Sequence, residues 1–171
     1  MNIPDGVTKI GQQAFYNCKQ LQSVTLPQTL KEISSGSFCE TSLKSIEIPN
    51  GVTKIGERDF GGCRQLQSVM LPKTLQEIDD FSFLFCTSLK SIIIPESVTR
   101  IGKGTFKKCF KLQVIALPKL ATIDCDAFKR CEMLDRSTSQ ILLIGSKDAL
   151  MKCLFINCVT VSMRREDITC H

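Results

Sequence analysis

The sequence predicts a solenoid of the α/β class, a right-handed superhelix of short repeats stacked in one direction. Three observations carry that prediction. All six prolines, at positions 4, 27, 49, 72, 95 and 118, stand 22 or 23 residues apart. Phenylalanines keep the same beat at Phe15, Phe38, Phe60, Phe83, Phe106 and Phe128. Ahead of the prolines runs an apolar strip, as in Leu66, Val69 and Leu71 before Pro72.

A fixed period of about 20 to 29 residues with such a strip is the signature of a leucine-rich-repeat solenoid. A concave parallel β-sheet and short convex helical or 3-10 turns are expected. Residues 1–134 would hold about six units, the first incomplete, and 135–171 a C-terminal capping segment. In such a stack each repeat contacts its neighbours and the apolar positions merge into one core.

Within a unit the strip comes first. In Leu21–Leu26 the core positions are Leu21, Val24 and Leu26, with Ser23 and Thr25 facing out. Copies at Leu43–Ile48, Leu66–Leu71, Leu89–Ile94 and Leu112–Leu117 should stack on it in parallel. Proline then ends the strand, where its missing N–H is tolerated. A second apolar pair follows: Val7/Ile10, Leu30/Ile33, Val52/Ile55, Leu75/Ile78 and Val98/Ile101. Gly11, Gly56 and Gly102 come directly after the Ile, where a turn with φ > 0 is expected. Phe-x-x-Cys has the spacing of a single helical or 3-10 turn.

The exceptions carry information. The second unit reads FCETSL and is one residue short, with Cys39 out of phase; the unit after Pro118 is also one short. GVTKIG, QLQSV and SLKSI recur at 45 or 46 residues, so a pair of repeats was duplicated as a block. Five residues after successive prolines stand Lys9, Glu32, Lys54, Glu77 and Arg100, alternating in sign. Opposite charges on neighbouring rungs contribute about 0.2–1 kcal/mol per pair and oppose a slip by one repeat.

Composition excludes several classes. Charged residues are 23% and the net charge is +5 with a pI near 8.7, which solvated lysines explain. The densest apolar run, Ile141–Ile144, is far shorter than the roughly 18 residues of a membrane span. The chain opens inside a repeat at Ile3-Pro4, without a signal peptide, as expected of a fragment lacking its N-terminal cap. Ten cysteines could suggest a disulfide framework. Cys18, Cys63, Cys86, Cys109 and Cys131, however, each follow the repeat Phe by three residues, at an inward phase. A column of buried free thiols is expected.

Beyond Glu132 the beat is lost. Gln140–Ile144 reads as a strand, and a helix follows with Ser146 as N-cap and Asp148 in its first turn. Residues 157–162 could add a strand before a polar tail. This segment would close the open end of the stack.

The phrase IP-x-x-VT-x-IG-x-x-AF-x-x-C-x-x-L, read from Ile3-Pro4 with Phe15 and Cys18 to Leu21, resembles the BspA-like, or Treponema-type, leucine-rich repeats. The resemblance covers residues 3 to about 134. The segment Gly145–Ala149 is similar to a short cap helix that closes such arrays, although Leu150 and Leu154 replace its usual aromatics. The resemblance implies a cell-surface or secreted protein-binding or adhesion module, and it carries over no catalytic residue.

Binding residues should lie on outward positions of the strip. The first outward column reads Ser23, Ser45, Ser68, Ser91 and Val114; the second reads Thr25, Glu47, Met70, Ile93 and Ala116. Met70, Ile93, Val114 and Ala116, beside Glu47, should form an apolar concave patch for a protein partner. Lys103, Lys107, Lys108, Lys111, Lys129 and Arg130 gather on the convex turns. A sulfated glycan or nucleic acid could bind there by counterion release, though aromatic interleaving for stacking is missing, with no Trp and only Tyr16. A structural spacer is the third reading.

Enzyme readings find no support. The single histidine is the terminal His171, and no Gly-rich phosphate loop or H-E-x-x-H is present. Cys153, Cys158, Cys170 and His171 have the wrong spacing for a zinc knuckle. No metal or cofactor is expected, and the chain should act as a monomer.

Overall fold

The computed structural model describes residues 1–134 and the strand Gln140–Ile144. Alternation of out- and in-facing residues in the strip generates the first wall. It comprises β3 (Ser45–Glu47), β5 (Ser68–Met70), β7 (Ser91–Ile93), β9 (Val114–Pro118) and β11 (Gln140–Ile144). All pairs are parallel, in the orders β3-β5 and β7-β9-β11. The register places Ser45 beside Ser68 and Ser91 beside Val114, as the repeat length requires. Leu21–Leu26 forms no strand; its one bridge joins Thr25 to Asn2.

The second apolar pair builds a sheet of its own. Its strands are β1 (Lys9–Ile10), β2 (Glu32–Ile33), β4 (Lys54–Ile55), β6 (Glu77–Ile78), β8 (Arg100–Ile101) and β10 (Thr122–Ile123). They pair in parallel as β1-β2 and β4-β6-β8-β10. Each sends its Ile inward and its preceding polar residue outward, and Ile10, Ile33, Ile55, Ile78 and Ile101 are buried. Thr122 pairs with Arg100 only 22 positions back, so the missing residue of that unit is absorbed ahead of β10.

The third wall is made of turns and contains no helix among the described residues, contrary to the helical or 3-10 expectation. Backbone N–H groups alternate in use there. Those of Ala14, Tyr16 and Cys18 donate to carbonyls three residues back. Those of Gln13, Phe15 and Asn17 donate to Ser35, Ser37 and Cys39 of the next repeat at 2.8 to 3.1 Å. To aim alternate N–H groups along the stack, the chain adopts φ > 0 two residues before and after most repeat phenylalanines. Gln13 and Asn17, Gly36 and Glu40, Arg58 and Gly62, and Phe81 and Phe85 show it. A helix needs consecutive right-handed residues, so this alternation excludes one.

The glycines expected at φ > 0 are displaced accordingly. Gly11, Gly56 and Gly102 lie outside the left-handed region, which is taken by Gly36, Gly62 and Gly104 in the turns. Gly102 has a different reason to lack a side chain. A Cβ there would stand 2.3 Å from Asp80 Oδ1 and 2.7 Å from Asp80 N of the previous rung.

Inside the walls the phenylalanines form one continuous stack. Ring centroids from Phe15 to Phe128 are 5.2 to 5.6 Å apart, with planes within 11°. Beside it runs the thiol column. Cys63, Cys86 and Cys109 are buried and free, Cys131 is buried, and the Sγ of each of the four donates to the Phe carbonyl of the preceding repeat at 2.9 to 3.2 Å. Cys18 departs from the expectation and is exposed. In the short second unit Thr41 takes the thiol position, buried 3.2 Å from Cys63 Sγ. Burial of the thiol first of all pushes the pKa of Cys63 up to about 11, and those of Cys86 and Cys109 well above the ordinary value.

Candidate functional sites on two walls

On the strand wall the predicted patch is divided. Met70 and Ile93 are 64% and 68% exposed, two large apolar side chains on adjacent rungs. They border a hollow of about 620 Å³ whose lining includes Ser68, Ser91, Lys73, Pro95 and Glu96. Lys73 and Glu96 stand directly after Pro72 and Pro95, which places one charge of each sign beside the apolar pair. Sequence reasoning missed both, although their positions after the strand-ending prolines were visible.

Ala116 does not belong to the exposed patch: it is 3% exposed. It pairs in register with Ile93 on β7 and with Leu142 on β11, so a strand flanks it on either side. Val114 is half-buried. Glu47 is exposed and pairs in register with Met70, but neither it nor Val114 lines the hollow.

The charge ladder decorates the second sheet. Lys9 pairs with Glu32 at 2.9 Å and Lys54 with Glu77 at 3.2 Å, as the alternation predicts. Arg100 lies beside Glu77 in register but turns its guanidinium to Asp79 at 2.6 Å and Asp80 at 3.1 Å. Its hydrogen bond with Asp79 raises the Arg100 pKa above its ordinary value. These residues neutralise one another across rungs.

On the turn wall the six predicted basic residues gather on the fifth and sixth turns. Lys103, Lys111 and Arg130 are exposed, and Lys107, Lys108 and Lys129 half-buried. Lys129 pairs with Asp126 at 3.1 Å. Lys108 Nζ lies 4.2 Å from the centre of the Phe85 ring. Arg64 covers the same ring at 5.7 Å, and Arg58 covers Phe81 at 5.5 Å. The wall therefore does carry aromatic rings among its cations, which corrects the expectation that such interleaving is missing. The signal was DDFSFLFC, where Phe81 and Phe85 flank the core Phe83.

Among the described residues no cluster of His, Cys, Asp and Glu could hold a metal ion, and no helix is long and apolar enough to cross a membrane. The set Cys153, Cys158, Cys170 and His171 lies outside the described residues, as do the cap helix and the tail.

A family model described as the BspA type leucine-rich repeat region matches residues 1–48 and 31–162, with 6 copies. The chain belongs to the BspA-type leucine-rich-repeat family. No curated protein matches this BspA-type chain. A solved leucine-rich repeat protein from Bacteroides ovatus is 29% identical with a TM-score of 0.50, the match covering 85% of this chain and 49% of that one. The T. pallidum leucine-rich repeat protein is 26% identical with a TM-score of 0.50, covering 78% and 55%. The pneumococcal vaccine antigen PcpA, at 23% identity, shares the fold with a TM-score of 0.58, over 77% of this chain and 38% of its own. This BspA-type chain thus spans about half the length of the first two.

Proposed function

We propose that the chain is a protein-interaction or adhesion module that holds a protein partner on its strand wall. One observation carries the reading: Met70 and Ile93, exposed on adjacent rungs, border the hollow of about 620 Å³. Exposed large apolar side chains beside polar neighbours are a mark of interaction surfaces. Lys73 and Glu96 at its border would orient the partner, since rim charges set register and on-rate more than affinity. Membership in a leucine-rich-repeat family supports the same reading, because such solenoids present extended surfaces to partners.

The test is capture from extracellular-matrix extract and cell lysate by the wild type and by Met70→Asp/Ile93→Asp, at moderate salt. Circular dichroism establishes that both chains are folded. A photo-crosslinker at position 93 should label the captured protein, while one at Lys111 on the turn wall should not. Equal capture by both chains would overturn the strand-wall assignment. No capture by either would favour a spacer.

A further inference from the structure

The turn wall contains a second feature, independent of the strand wall and carried by different residues. Among the described residues most of the positive charge there, Lys129 apart, has no ion-pair partner. On the second sheet Lys9, Lys54 and Arg100 all stand in ion pairs. By contrast Lys103, Lys107, Lys108, Lys111 and Arg130 form no ion pair with the described residues. Four of these lysines sit on one turn, and Arg130 continues the Phe85–Lys108 column onto the next rung.

The backbone beneath the cations is strained. Phe81 and Phe85 hold φ of 59° and 61°, at positions that glycine occupies in neighbouring repeats as Gly104 and Gly62. The left-handed region is unfavourable for a bulky residue. The aromatic stack of the core runs through Phe83 and does not include these two half-buried rings. What they do is bear cations: Arg58 lies over Phe81, while Arg64 and Lys108 lie over Phe85. Such contacts hold a charged group in place while leaving it open to a ligand.

We infer that this wall binds a linear sulfated polysaccharide, recognised by an array of cations of which Arg58, Arg64 and Lys108 lie over Phe81 and Phe85. Charge complementarity sets the sign of the ligand, and two further observations set its class. Single-stranded nucleic acid binds through bases stacked on free aromatic faces. Here cations already cover the rings. A peptide that binds by strand addition would need free backbone groups to pair with, and acidic motifs are read by arginine clusters, whereas Lys103, Lys107, Lys108 and Lys111 are lysines. The N–H groups of this turn are spent: Phe83 and Phe85 donate to Thr105 and Lys107, and Leu84 and Cys86 donate within the turn. Side-chain charge is what the wall offers, and a sulfated glycan needs nothing more.

Heparin is the probe, with fully desulfated heparin, single-stranded oligo-dT and poly-glutamate as competitors. Lys107→Glu/Lys108→Glu/Lys111→Glu should weaken heparin binding by at least about tenfold and flatten its salt dependence, since fewer counterions are released. Lys31→Glu/Lys44→Glu/Lys90→Glu makes the same change in net charge away from this wall and should lose far less. Phe85→Gly keeps a residue that tolerates φ > 0 and removes the ring, so it should weaken heparin binding several-fold with folding intact by circular dichroism. Desulfated heparin should not compete. Equal losses in the two triple variants would reduce the effect to net charge and overturn the site. Unchanged binding by Phe85→Gly would remove the aromatic part of the inference. Competition by oligo-dT or poly-glutamate as strong as heparin's would overturn the ligand class.

Discussion

Asp59 is the residue whose presence least fits its surroundings. The position before the repeat Phe is Ser37, Ser82 and Thr105 in other repeats, whose hydroxyls donate to nearby carbonyls. In the third repeat it is a fully buried carboxylate that accepts from Gly56 N–H at 2.6 Å and from Ser37 N–H at 3.4 Å. Burial pushes its pKa up to about 7; the N–H groups of Gly56, Ser37 and Gly36 oppose the rise, and the charge of Asp79 adds to it. In the unfolded chain the group titrates near 3.9. Between those values the folded state holds a proton that the unfolded state has released, so stability falls as pH rises. The cost is absent below the unfolded value and levels off above about 7, at a total on the order of 4 kcal/mol. Asp59→Ser restores the hydroxyl of the other rungs. It should raise the melting temperature at pH 8 far more than at pH 4, and parallel stability curves for the two chains would refute this account.

At the scale of elements, the thiol column and the turn wall are one device. Each turn places its thiol against the carbonyl of the Phe one repeat earlier. Alkylation of the native protein, read residue by residue by mass spectrometry, should label the exposed Cys18 quickly. Cys63, Cys86 and Cys109 should react only as fast as the protein opens, because burial suppresses the reactive thiolate. Rapid labelling of Cys86 would mean that the walls do not close as described.

For the whole molecule, the phenylalanine stack makes stability depend on position along the solenoid. Phe83 is fully buried with a ring on either side, whereas Phe15 is half-buried with a neighbour on one side. Phe83→Ala should cost about 3–5 kcal/mol in urea denaturation, the range of a large core cavity. Phe15→Ala should cost clearly less, and equal costs would argue against a core that runs unbroken through the repeats. The two proposed binding surfaces lie on different walls of this one core, so each can be altered without the other.

Much of this was legible in the chain because each repeat reports the same environment several times. Proline spacing, the Leu-Val-Leu strip, the phenylalanine beat and the Lys9–Glu32 alternation each determined a column of the solenoid before any contact was known. Repetition alone could not say which columns become strands: a two-residue Glu77–Ile78 pair is too short to carry a period. Nor could it reveal the left-handed turns, since Gln, Asn, Arg, Phe and Lys all occupy positions where a reader looks for glycine. Tertiary structure alone decided the fate of Ala116 and of Phe85. One is hidden by the strands on either side, and the other is capped by cations from the repeats before and after it. Exposure and ring contacts belong to three rungs at once, whereas a sequence pattern describes one rung at a time.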